Sequence, residues 1–349
     1  MTVLADTEVN GIIEARLGRR VVDATQIHSG NSQVFKLECA DGSQVMAKIY
    51  PPADRDRLGV EFNALSFLHH HGVGVVPMAL AKAPEARIAI YQYLEGERPQ
   101  PASLAIFDLE QMLEFLGTLD RLRGEPDSSS LPAASEACFS FESYLGGVRQ
   151  RLLRFAQVVD TTPLHSRARA FADSRLAPFF HHIEGHCAAS LGRLGWHGEE
   201  EIPLAHRTLS PSDFGFHNTL RLVNGLLGFV DFEYFGWDDP AKLIADFLHH
   251  PAMPVAADLK RRFLRGALTL YQRDPALPDR LDLVYPLLGL KWCLIMLNEF
   301  LPEGLTRRKL ANASLDVDLA LATQLGKAER QLEQVQAFME APTLTAGAL

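Results

Sequence analysis

The chain has 349 residues, 47% hydrophobic and 22% charged, with a formal net charge of −9. That length accommodates roughly two domains of about 150 residues, and the composition is that of a folded globular chain rather than a disordered one. A net acidic chain without a Lys/Arg block lacks the footprint for gripping phosphodiester backbones, which disfavours nucleic-acid binding. No uninterrupted apolar run of about 18 residues is present, so no membrane span is expected. The nearest, Leu283 to Leu297, carries Pro286 and Lys291 and reads as a buried helix. The first residues, MTVLADTEVNG, are acidic where a signal peptide is basic and then apolar. Cys39, Cys138, Cys187 and Cys293 stand apart with no CxxC pair, which fits reduced thiols in the cytoplasm rather than a zinc site or disulfide framework.

In chain order, Gln33–Cys39 and Gln44–Tyr50 alternate apolar and polar residues around Asp41-Gly42, a hairpin pattern. Helical spacing of Phe62, Leu65 and Leu68 predicts a helix over Val60–His71, and Ala86–Tyr93 reads as a further strand. Glu95–Ala102 collects Gly, Pro and charge, a linker composition. Beyond it the pattern is helical: Leu104–Arg123, Phe141–Val159, Arg167–Gly185, Asp258–Arg273, Leu281–Phe300 and Asp316–Glu340. Residues 342–349 are expected to fray. The expected fold class is α+β, with a small sheet-rich unit at 1–97 and a larger, mainly helical one at 98–349.

Leu209–His250 carries the most chemistry. Thr219–Val223 and Leu226–Val230 flank Asn224-Gly225, a strong hairpin signal. A two-residue loop there sets Asn218 opposite Asp231, with Cβ atoms roughly 5 Å apart. Asp213 precedes Asn218 in a segment whose Pro211 and Gly215 oppose a regular helix. Two carboxylates and a carboxamide at one hairpin mouth are hard oxygen ligands of the kind that suit Mg²⁺.

These residues resemble the catalytic and metal loops of the aminoglycoside phosphotransferase and choline kinase superfamily, small-molecule relatives of protein kinases. The family pattern D-x-x-x-x-N, a hairpin and I-D-F is similar to Asp213-Phe-Gly-Phe-His-Asn218 and Val230-Asp231-Phe232. The run Asp231-Phe-Glu-Tyr234 is similar to choline kinases. The resemblance implies a bilobal protein-kinase-like fold, with a small antiparallel-sheet N-lobe and a helical C-lobe. It also implies transfer of the γ-phosphoryl group of ATP, or another nucleoside triphosphate, to a hydroxyl of a small molecule. Asp213 is then the carboxylate acting on the acceptor, while Asn218 and Asp231 hold Mg²⁺. Lys48 in Val-Met-Ala-Lys-Ile-Tyr is the phosphate-binding lysine and Glu61 its ion-pair partner. The phosphate-covering turn is placed at Ser29, Gly30, Asn31 and Ser32, and the adenine hinge at the backbone of Gln92 and Leu94.

For the acceptor the resemblance points to Glu233, Trp237, Asp238, Trp292, Asn298 and Glu299. Aromatic rings with carboxylates suit a cationic amine, so amino alcohols and aminoglycoside-like sugars stand beside plain sugars as acceptors. One departure matters: the family's His-Gly before the catalytic Asp is here Pro211-Ser212. It opens the alternative of a catalytically impaired, nucleotide-binding regulatory protein. No metal ligand or proton acceptor is lost with it, which favours an active enzyme.

Overall fold

A computed structural model describes residues 7–27, 32–52, 55–159, 161–252, 254–311, 315–340 and 343–345. The chain forms two compact units, Met1–Ser135 with Pro211–Gly236, and Glu136–Ser210 with Trp237–Leu349. They do not follow the expected cut after Glu97: residues 98–135 and the hairpin of the Leu209–His250 region belong to the first unit.

In the first unit, helix α1 (Thr7–Leu17) precedes strands β1 (Val21–Ile27), β2 (Gln33–Cys39) and β3 (Gln44–Ile49). Helix α2 (Arg57–His70), strands β4 (Ala79–Ala83), β5 (Ile88–Gln92) and β6 (Gly96–Glu97), and helix α3 (Ile106–Leu122) follow. The antiparallel sheet has the order β1-β2-β3-β5-β4. Strand alternation sorts its faces. Phe35, Leu37, Val45, Ala47, Ile88 and Ile90 bury one face against Ile13 of α1, which leaves Met46 and Lys48 on the other. Helix α2 begins at Arg57, earlier than its apolar spacing predicts, because Asp56 Oδ1 caps it by accepting from the Gly59 N–H at 2.8 Å.

The returning segment brings hairpin strands Thr219–Leu222 and Leu227–Phe229, and β6 pairs with the first of them at Gly96↔Leu222 and Glu97↔Arg221. The hairpin loop has three residues, not two. Thr219 faces Phe229, Arg221 faces Leu227, and Gly225 donates to the Leu222 carbonyl at 2.9 Å with φ +81°. The β2–β3 loop is built the same way, Gly42 donating to the Cys39 carbonyl at 2.9 Å with φ +81°. In both, the glycine occupies the left-handed position that ends a three-residue loop. Asn218 therefore faces Val230, whose N–H it accepts at 3.0 Å, and Asp231 lies one residue beyond.

The second unit is helical: α4 (Phe141–Phe155), α5 (Pro163–Phe171), α6 (Ala177–Leu194), α7 (Pro240–His249), α8 (Ala257–Leu270), α9 (Leu277–Met296), α10 (Pro302–Ala311) and α11 (Val317–Glu340). The predicted helix at Arg167–Gly185 is two helices joined through a wider π-type turn at Ala172–Leu176. By length and composition Leu277–Phe300 would suffice to cross a bilayer, yet it is mostly buried, packed by α4, α6, α7 and α11. Gly289 lets these helices close in, since a Cβ there would meet Val335 Cγ2 at 2.4 Å and His249 Cε1 at 2.9 Å. Asp239 caps α7 through the Ala241 N–H and takes Arg280 in a two-point ion pair at 2.9 Å. Within the segment expected to fray, Leu344 and Thr345 donate their N–H groups to Asp282 Oδ1 at 3.0 and 3.2 Å.

His249 supplies a pH dependence. Gln331 Nε2 lies 2.8 Å from its Nδ1 and the Tyr285 carbonyl 2.9 Å from its Nε2, an arrangement satisfied by the neutral ring protonated on Nε2. Burial lowers its pKa to about 4. Between that value and the unfolded one of about 6.5, the unfolded chain binds the extra proton, so stability falls as pH falls. Relative to His249→Gln, the wild type should lose roughly 2 kcal/mol between about pH 7 and 4.5 in urea titrations. An unchanged difference between the two proteins would contradict the assignment.

Candidate active site

All the residues of this site belong to the first unit. β3 presents Lys48 to three carboxylates: Nζ lies 2.7 Å from Glu61 Oε2, 2.7 Å from Asp231 Oδ1 and 3.1 Å from Glu233 Oε2. Glu61 is fixed in turn by the Tyr50 hydroxyl at 2.6 Å and the Phe232 N–H at 3.2 Å. Burial alone would lower the Lys48 pKa; Asp231, Glu61 and Glu233 outweigh it and hold the ammonium charged. Burial, with the Glu233 and Glu61 charges, pushes Asp231 up to about 6 in spite of Lys48. Glu233 stays below its ordinary value, because Lys48 and Arg57, the latter at 3.0 Å, overcome its burial.

Three carboxylates against Lys48 and Arg57 leave an excess of negative charge, and ligand oxygens of Glu61, Asp231 and Glu233 lie within 4.8 Å of one another. Asn218 commits its Nδ2 to the Asp213 carbonyl at 2.9 Å, which leaves the carboxamide oxygen as its ligand end. These are hard oxygen donors in a site short of positive charge, and they fit a divalent cation such as Mg²⁺. Lys48, Asp231 and Asn218 line a cavity of about 330 Å³, together with Val34, Met46 and Leu94.

Aromatic packing explains why Asp213 and Asp231 are held in place. Each is followed by a buried phenylalanine, Phe214 and Phe232. Phe115 of α3 stacks on Phe229 at 4.0 Å between centroids, with Phe214 at 6.4 Å and Phe232 at 6.2 Å. α3 also clamps the hairpin by polar contacts, Asp108 pairing with Arg221 at 3.0 Å and Gln111 accepting the Leu227 N–H at 2.8 Å. The two carboxylates thus ride on a rigid aromatic cluster. Asp213 Oδ1 meets His217 Nε2 at 3.1 Å.

Residues 23–284 match the model of the phosphotransferase enzyme family, abbreviated APH. The chain belongs to this family. Its solved structural relatives include a choline kinase from Cryptosporidium parvum Iowa II, with TM-score 0.63, 12% identity, and 97% of this chain and 98% of that one covered. The phosphotransferase APH(2″)-IIa in complex with gentamicin gives TM-score 0.60 at 18% identity, covering 96% and 98%. Spectinomycin phosphotransferase in complex with ADP and spectinomycin gives 0.59 at 12%, covering 93% and 97%. At these identities the likeness shows the protein-kinase-like fold. No curated protein matches the chain.

Within the APH family pattern, the departure at Pro211-Ser212 has a structural cost. Ser212 has φ +67°, a conformation that glycine adopts freely and serine does not. Its hydroxyl donates to the Ser135 carbonyl at 3.0 Å and offsets part of that strain. Ser212→Gly should therefore remain within about 1 kcal/mol of wild type, strain relief balancing the lost bond. Ser212→Ala keeps the strain and loses the bond, so it should cost about 1–2 kcal/mol. Urea midpoints of the three proteins check the order; an alanine variant as stable as the glycine one would contradict it.

Not every candidate falls where the sequence puts it. Ser29, Gly30 and Asn31 lie outside the described residues, while the Ser32 hydroxyl donates to Glu233 Oε2 at 3.3 Å. The Gln92 N–H is taken by the Met78 carbonyl at 2.8 Å, and the Leu94 N–H has no partner among the described residues. Glu233 is expected beside the acceptor but is buried against Lys48 and Arg57.

In the second unit Asp238 is fully buried and paired with Lys242 at 2.8 Å, since α7 returns its lysine onto the preceding strand end. Glu299 accepts from Gln324 at 2.8 Å. The sequence's case for a cationic acceptor weakens accordingly, because Glu233, Asp238 and Glu299 each have partners within their own unit. Trp237 is half-buried; Trp292 donates to Asp246 at 2.8 Å, and Asn298 accepts from Arg154 at 2.6 Å. Sequence reasoning missed Arg57, whose signal was only its place one turn before Glu61 on α2.

Proposed function

We propose that this chain transfers the γ-phosphoryl group of ATP, or another nucleoside triphosphate, to a hydroxyl of a small molecule. One observation carries the reading: Lys48, at 2.7 Å from both Glu61 and Asp231, stands in the wall of a 330 Å³ cavity with a backbone hinge at Gln92–Leu94. A buried ammonium prepared by carboxylates is a phosphate anchor, and apolar walls beside the Leu94 N–H suit a purine. Asn218 and Asp231 would hold Mg²⁺, which when bound neutralises charge between the phosphates. Lys48 steadies the phosphates, and Asp213 orients the acceptor hydroxyl and takes its proton. The half-buried Cys138 and three buried free cysteines support placing the reaction in a reducing cytoplasm.

The test is ADP formation by the purified chain with Mg²⁺, ATP and a panel of hydroxylated small molecules. Acceptor-dependent ADP supports the enzyme. Nucleotide binding with no ADP from any acceptor would instead support the regulatory alternative opened by Pro211-Ser212.

A further inference from the structure

The second unit carries an open cavity of about 560 Å³ whose charged lining consists of Arg151 and Arg154 on α4, Lys291 on α9, and Glu136. We propose that this cavity binds the anionic group of a hydroxylated small molecule, a carboxylate or phosphate. Its identity as the acceptor rests on the phosphotransferase reading above.

The lining carries three cations against one carboxylate, in a chain whose net charge is −9. Such a reversal of sign concentrates anions locally. Lys291 is the central group. It is only 8% exposed, and its nearest oxygens are Glu136 Oε2 at 3.4 Å and Asp246 Oδ2 at 3.7 Å. Both exceed the 2.7–2.9 Å typical of a charge-assisted hydrogen bond.

Both carboxylates are shared with other donors: Asp246 Oδ1 accepts from Trp292 Nε1 at 2.8 Å, Asp246 Oδ2 lies 3.3 Å from Lys242, and Glu136 Oε1 is engaged by Arg151. Two long ion pairs leave the three donors of this buried ammonium short of close acceptors. An anionic oxygen of a ligand supplies one. Behind Lys291 the Lys242, Asp238 and Asp246 charges sum to a single negative, so the cavity keeps its positive excess. A cationic amine placed there would meet like charge on two walls.

The test titrates the folded full-length chain with three six-carbon polyhydroxylated molecules of different charge: gluconate, glucose and glucosamine. Gluconate should bind at least tenfold more tightly than glucose, with glucosamine weakest, and Lys291→Gln should remove the preference for gluconate. A second measurement needs no variant. Cys138 lines the cavity and is half-buried, while Cys39, Cys187 and Cys293 are buried. Its reaction rates with sulfonate-bearing and trimethylammonium-bearing methanethiosulfonates should favour the anionic reagent severalfold more than those of free 2-mercaptoethanol do. Glucosamine binding as tightly as gluconate, or a Cys138 rate ratio equal to that of the free thiol, would overturn the proposal. Lys291-dependent gluconate binding without ADP formation from any acceptor would leave the anion site standing and remove the phosphotransferase reading. ADP formed with glucosamine but not gluconate would do the reverse.

Discussion

Asp231→Asn should lower phosphoryl transfer by roughly 10³-fold or more while leaving the folded chain at least as stable as wild type. The first effect follows from charge: Asp231 is the carboxylate beside Lys48 that remains open to the cavity, and a neutral carboxamide holds a divalent cation far less well. The second follows from the same crowding. Asp231 shares the site with Glu61 and Glu233, and its carboxyl is pushed up to about 6 by burial and those neighbours. A carboxyl whose pKa is raised on folding is one whose ionised form the fold disfavours, so neutralising it relieves repulsion. Asparagine also tolerates the φ of +69° at this position better than almost any other residue. Kinetics and a thermal melt on one preparation check both halves. Full activity would remove Asp231 from the site; a collapse in stability would show that Lys48 depends on it for folding.

Asp213→Asn should leave nucleotide affinity within about threefold and lower kcat by roughly 10²–10⁴-fold, the range supplied by a positioned general base. Asp213 makes no ion pair with Lys48. Its backbone carbonyl, not its carboxylate, receives Asn218 Nδ2, so the metal-side geometry survives the change. His217 Nε2 at 3.1 Å can donate to the oxygen of either residue. The loss should fall on kcat and kcat/KM alike, as for a group acting on the reacting hydroxyl. Weakened nucleotide binding with an intact rate would exchange the roles of Asp213 and Asp231.

Much of this site was legible because its chemistry sits in short local patterns. Lys48 lies on an alternating strand, Glu61 opens the next helix, and Asp213, Asn218 and Asp231 bracket one Asn-Gly turn. The register was misread by one residue, because Asn-Gly serves both a two-residue loop and the end of a three-residue loop. Gly42 and Gly225 both take the latter course. The division into compact units differs from the cut at Glu97 for another reason. Pairing of Gly96 and Glu97 with the hairpin joins residues more than a hundred positions apart, and no local pattern encodes that. The fates of Glu233 and Asp238 were equally hidden: a carboxylate near a metal loop reads alike whether it faces ligand or a buried lysine. The cations lining the second unit's cavity come from α4 and α9, whose amphipathic faces were visible but whose partners were not.

Phosphorus NMR of the purified chain with ATP, Mg²⁺ and a mixed set of hydroxylated acceptors tests the central claim most directly. The account predicts that the γ-phosphorus resonance is replaced by those of a phosphomonoester and ADP, and that neither Asp213→Asn nor Asp231→Asn produces the ester on the same timescale. A spectrum that stays unchanged, or one that yields only inorganic phosphate, would contradict it.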